Sequence, residues 1–219
     1  MKKSLFAIFL LSFFFCSAQQ KSDNQYYLGV NTGINTSRAN FELTREGLFN
    51  LSAAIDYELN FNYGLVFLYF SEPGKGVQME LNYSKRGYTQ QTNSTDLYSK
   101  QLSYIEFPFL SHFDFNLRKI NFAFTLGPTI SYIINTQEAT FNKNTNQPKE
   151  YIKVTNENKM EAGLCLGLGV NMPITKGIIQ IESRLNHGIG NLFSGDNNND
   201  ITTSQYQVYT LKIAYLFKL

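Results

Sequence analysis

The feature that most constrains this chain is alternation. Apolar side chains recur at every second position over long stretches, a period that suits an extended strand with two differently solvated faces and not an amphipathic helix. The last stretch is the clearest: Tyr209, Leu211, Ile213, Tyr215 and Phe217 share one face, whereas Val208, Thr210, Lys212, Ala214 and Leu216 share the other. Val77, Met79, Leu81 and Tyr83 likewise oppose Gln78, Glu80, Asn82, Ser84 and Arg86. Ile105, Phe107, Phe109, Phe113 and Phe115 oppose Tyr104, Glu106, Leu110, His112 and Asp114, and Ile179, Ile181 and Leu185 oppose Gln180, Glu182, Arg184 and Asn186. Eight such segments are predicted, at about 26–36, 59–70, 76–89, 101–115, 120–134, 160–173, 178–190 and 205–217.

Three observations decide which face meets which solvent. Strands of about 11 to 15 residues exceed the usual globular length of 5 or 6 but suit a tilted membrane crossing. The connections alternate in length: those at 71–75, 116–119 and 174–177 are short, and those at 37–58, 90–100, 135–159 and 191–204 are long and mostly rich in Asn, Thr and Lys. Aromatic residues gather near strand ends, at Tyr26, Tyr63, Tyr69, Tyr83, Tyr132, Tyr209, Tyr215 and Phe217, as an interfacial belt requires. An even strand count lets the first strand pair with the last and removes the open edges that lipid does not tolerate. The predicted fold is therefore all-β: an eight-stranded antiparallel up-and-down transmembrane β-barrel.

Met1-Lys2-Lys3, the apolar run from Leu5 to Phe15, and Cys16-Ser17-Ala18 have the three parts of a secretory signal peptide. Cleavage after Ala18 leaves residues 19–219 as the barrel domain. A lipoprotein reading would acylate Cys16, but Phe14 and Phe15 stand where small residues are expected. Without Cys16, Cys165 is alone and no internal disulfide can form. The formal charge of +2 is supplied by Lys2 and Lys3, so a nucleic-acid footprint is absent. Beyond the signal no apolar run is long enough for a transmembrane helix.

An eight-stranded barrel has an interior just wide enough for side chains to fill it. Alternation sends Glu80, Arg86, Glu106, Asp114, Glu182, Arg184 and Lys212 inward as a lumen charge network, together with Glu161. Gly29, Gly33, Gly163, Gly167 and Gly169 make room for them. Buried charges must be paired, because an isolated one costs several kcal/mol; a proton or ion relay is the alternative use of the same residues. His112 and Asp114 share a face and would suit a hydrolase, but Ser111 points the other way. His187 falls near an outer strand end. Asp196, Asn198 and Asp200 have the spacing that opens a calcium loop, yet Ile201 and Gln207 stand where that loop needs Gly and Glu. Neither a cofactor nor a metal is expected.

Several segments resemble a known family. Val77-Gln78-Met79-Glu80-Leu81-Asn82-Tyr83-Ser84-Lys85-Arg86-Gly87 resembles the third-strand signature of the outer membrane protein beta-barrel domain family of Bacteroidetes, whose members are often labelled PorT family. Leu102-Ser103-Tyr104-Ile105-Glu106-Phe107-Pro108 is similar to its fourth strand, and Gly127-Pro128, the glycine-spaced run from Gly163 to Gly169, and Gly188-Ile189-Gly190-Asn191 follow in order. The resemblance implies an outer-membrane barrel rather than an activity, surrounded by outer-membrane lipid and lipopolysaccharide and inserted by the barrel-assembly machinery. Type IX secretion components are candidate partners, since some relatives act in that pathway. The expected role is structural, surface-interacting or secretion-accessory. A soluble periplasmic lipocalin-like calyx, with the faces reversed, and a membrane-embedded barrel enzyme are the alternatives.

Overall fold

The computed structural model describes residues 24–43, 56–91, 96–118, 120–142, 148–152, 159–189 and 201–219. The signal segment and the Asp196-Asn198-Asp200 loop lie outside the described residues. The strands are β1 (Gln25–Leu43), β2 (Asp56–Glu72), β3 (Lys75–Gln91), β4 (Asp96–Leu117), β5 (Ile120–Asn142), β6 (Pro148–Ile152), β7 (Met160–Ile174), β8 (Gly177–Gly188) and β9 (Ile201–Lys218). Among the described residues no helix is long and apolar enough to cross a membrane.

Eight of these strands close a ring in which every pairing is antiparallel. Neighbours in sequence pair along the chain, β5 pairs with β7, and β1 pairs with β9 from Tyr27↔Lys218 to Leu43↔Ile201. That last ladder removes both sheet edges. β6 stands outside the ring: it adds to the far end of β5 through Glu138↔Ile152 and its neighbours.

The faces follow the alternation. Phe107, Phe109, Leu164, Leu166, Leu168, Leu211 and Ile213 are exposed on the outer wall, whereas Gln78, Glu80, Asn171, Gln180, Glu182 and Lys212 are buried inside. This overturns the calyx alternative, which needs the greasy face inside and the charged face in water. Tyr63 packs on Tyr83 with ring centroids 5.2 Å apart, in register with Ile105 and Tyr132. Near the short turns, Tyr26 stacks on Tyr69 at 5.0 Å, and Tyr215 meets Phe217 edge-on at 4.4 Å.

The strands run beyond the limits that alternation predicts. β1 continues to Leu43, β2 starts at Asp56, and the predicted 90–100 and 135–159 loops are largely absorbed into β3, β4, β5 and β6. Alternation marks only the part of a strand whose two sides meet different solvents. Beyond the apolar wall the positions that continue the outward stripe read polar in the sequence, Arg38, Asn40 and Glu42 in β1 and Thr203 and Gln205 in β9, so the stripe that marks a strand stops while backbone pairing continues. The β4–β5 register shifts between Ser103↔Asn135 and Tyr104↔Ile133, which leaves Ile134 on β5 as the extra residue of a β-bulge.

The lumen is also less uniformly polar than expected. Tyr27, Val66, Leu68, Phe70, Ile178, Ala214 and Leu216 form a small core inside the short-turn end. In β2 the run Leu65-Val66-Phe67-Leu68-Tyr69-Phe70 is apolar on both faces, so no alternation betrays its inward half.

Ile213 sits on the outer wall at 49% exposure. Ile213→Arg is expected to cost about 2 to 4 kcal/mol if placed near the bilayer midplane. Urea unfolding of the refolded barrel in lipid vesicles measures the loss; an unchanged midpoint contradicts the assignment of faces.

Candidate functional site

The buried charges fall into separate clusters along the lumen. The first joins β3, β8 and β9. Arg184 donates from Nη1 to Glu80 Oε2 (2.9 Å), and from Nη2 to Glu80 Oε1 (2.7 Å) and Glu182 Oε2 (2.9 Å). Lys212 Nζ donates to Glu80 Oε1 and lies 3.5 Å from Glu182 Oε2. Glu80 is 104 residues from Arg184 in sequence, so this cluster ties opposite walls together. Two carboxylates against two cations balance locally; Gln78 and Asn82 donate further to Glu80 Oε1 and Oε2, and Thr125 donates to Glu182 Oε1.

The residues that flank this cluster are small for a reason. A Cβ placed on Gly167 would collide with Glu182 Oε1 and Thr125 Oγ1, and one on Gly169 would crowd Glu182. The glycine spacing of β7 thus clears a trough for the Glu182 carboxylate. Cys165, on the same strand, is buried facing the lumen.

The second cluster centres on Arg86, which is 2% exposed. Its Nη2 donates to Glu106 Oε1 at 2.5 Å and its Nη1 to Glu161 Oε2 at 2.9 Å, while the guanidinium lies over the Tyr104 ring, 4.3 Å from its centroid. Alternation places Tyr104 only among the inward residues of β4; its ring is a platform for Arg86, a cation–π contact that alternation alone does not signal.

Asp114 belongs to neither cluster. Its Oδ1 faces His112 Nε2 at 2.8 Å and accepts from Asn171 Nδ2 at 2.8 Å. His112 Nδ1 lies 2.8 Å from Gln78 Oε1, and Gln78 Nε2 donates to Glu80, so a polar chain leads from Asp114 to the first cluster. Each His112 ring nitrogen is therefore engaged by an oxygen, and Ser111 is exposed on the opposite face. His187 is half-buried on β8. Below Asp114 a cavity of about 390 Å³ opens at the short-turn end, walled by Tyr27, Phe70, Pro73, Asn121 and Pro173.

A closed ring with an apolar wall outside and paired charges inside defines an integral membrane β-barrel with a filled lumen. Residues 17–194 match the outer membrane protein beta-barrel domain family, and the chain belongs to it. It is a small outer-membrane barrel. Among solved structures it is similar to the attachment invasion locus protein Ail of Yersinia pestis, crystallised with the heparin analogue sucrose octasulfate. That pair shares 14% identity at a TM-score of 0.43 over 88% of this chain and 99% of the other. Neisserial surface protein A is 11% identical, with a TM-score of 0.45 over 87% and 96%. The outer membrane protease OmpT of Escherichia coli is 8% identical, with a TM-score of 0.38 over 92% and 99%. No curated protein matches the chain in sequence.

Removing Arg184 leaves Glu80 and Glu182 sharing only Lys212. Arg184→Met is expected to destabilise the barrel by about 3 to 5 kcal/mol, and adding Glu182→Gln should recover part of that loss. Urea midpoints of the single and double variants test this; equal midpoints for Arg184→Met and wild type exclude a structural role for the cluster.

Proposed function

We propose that this barrel is a non-conducting scaffold that holds an extended β-surface away from the outer membrane for contact with envelope or extracellular partners. One observation carries the reading: β4 and β5 are 22 and 23 residues long. A strand of that length tilted by about 40° rises roughly 55 to 60 Å, about twice the apolar band of an outer-membrane barrel. The surplus lies entirely at the end opposite the short turns, where β6 widens it. In barrels of this kind short turns face the periplasm, so the surplus projects outward.

The lumen supports the non-conducting half. Arg86, Glu80, Glu182, Arg184 and Lys212 fill it from wall to wall, each no more than 6% exposed. Export would use residues 1–18 as a cleaved signal, and the barrel-assembly machinery would read the aromatic C-terminal strand around Tyr215-Leu216-Phe217. Lipopolysaccharide and phospholipid then surround the wall.

Crosslinking in native cells, extraction in mild detergent and mass spectrometry should recover a partner with the intact barrel and lose it when residues 136–156 are replaced by a short Gly-Ser turn. Type IX secretion components among the captured proteins would make the role secretion-accessory; other envelope or surface proteins would make it a stand-alone contact surface. The same partners on both forms would sink the proposal. In planar bilayers the native barrel should give no steady ion current, and a stable open conductance would refute the closed lumen.

A further inference from the structure

Each corner at the short-turn end carries a basic residue. Lys75 follows the β2–β3 turn, Arg118 follows β4 at the β4–β5 turn, Lys176 lies in the β7–β8 turn, and Lys218 ends β9 beside the start of β1. Strand order places these corners at every second strand around the ring, about 10 Å apart at the usual interstrand spacing. Lys75, Arg118, Lys176 and Lys218 are all exposed. Lys75 is shared with Glu72 at 2.9 Å. Among the described residues, Arg118, Lys176 and Lys218 have no carboxylate within ion-pair distance.

Among the described residues, the acidic side chains of this end do not offset the ring. Glu72 is already paired, and the Asp114 side chain is 5% exposed, turned inward to His112. Arg118 adds an independent sign. It holds a left-handed backbone conformation with φ 64°, where Gly is the unstrained choice, so turn geometry does not account for an arginine there.

The height of the ring identifies what it meets. The Tyr26–Tyr69 stack, the Tyr215–Phe217 pair and the register pair Phe115↔Phe122 lie just inside the same corners. Such aromatic belts sit at headgroup level, and long basic side chains reach past them to the phosphates. We propose that the periplasmic rim is a girdle for anionic phospholipid headgroups of the inner leaflet. An even spread around the circumference fits lipids, which surround a barrel; a docked protein would need the charge gathered on one side. The charges lining the mouth cavity itself are Glu72 and Asp114, of opposite sign, so the girdle addresses the membrane and not the lumen.

The test reconstitutes the full barrel in phosphatidylcholine bilayers containing trace spin-labelled phosphatidylglycerol or spin-labelled phosphatidylcholine, and measures the motionally restricted fraction of each. The native barrel should prefer phosphatidylglycerol about fivefold, the value of one headgroup–cation contact at a membrane surface. The triple variant Arg118→Gln/Lys176→Gln/Lys218→Gln should fall to parity. Lys85→Gln, on the outer wall toward the opposite end, should keep the preference. Without any substitution, about 1 M salt should also bring the native barrel close to parity, because screening then acts within roughly 3 Å. Equal association of the two lipids with the native barrel, a preference that survives the triple variant or high salt, or its loss in Lys85→Gln would each overturn the girdle.

Discussion

Everything in this molecule depends on satisfying backbone hydrogen bonds where there is no water. In the hydrocarbon layer an unpaired N–H or C=O costs several kcal/mol, so a sheet survives there only as a closed ring. The β1–β9 ladder supplies that closure, joining residue 27 to residue 218 across almost the whole chain. Once the ring closes, each strand has one side in lipid and one in a narrow lumen. The alternation of apolar with polar or small residues is the chemical consequence of that geometry.

The lumen then sets its own terms. Eight strands enclose too little space for a water column, so side chains must fill it, and charged ones must find partners inside. The glycines of β7 and the clusters around Arg184 and Arg86 are two halves of one solution: Gly167 and Gly169 give up volume that Glu182 occupies, and Arg184 with Lys212 neutralises it. Toward the short turns the same need is met by apolar packing of Val66, Leu68 and Leu216. The two ends of the barrel thus differ inside as well as outside, with short cationic corners at one end and long paired strands at the other.

Much of this was legible before any coordinate. Period-2 segments gave eight crossings and their facing, and the residues sent inward by alternation, Glu80, Arg86, Glu106, Glu182, Arg184 and Lys212, are those the structure buries. What alternation could not convey was grouping. Glu106 pairs with Arg86 although it lies four residues along β4 from Leu102, the register partner of Arg86, whereas Asp114 pairs with His112 instead of an arginine or lysine. Nor did it reveal the inward apolar core, because β2 is apolar on both faces, or the strand extensions, because the outward apolar stripe does not continue into them.

The sequence by itself determined the class of solvent on each side of each strand, since burial chemistry is written residue by residue into the two-fold period. It also determined that the chain must close, because eight such strands with open edges cannot persist in lipid. Only the tertiary structure decided which charges meet, how far the strands rise, and that the basic corners form a ring. Those depend on register and on which strands are neighbours across the lumen, relations between residues up to about 190 positions apart that no local pattern encodes.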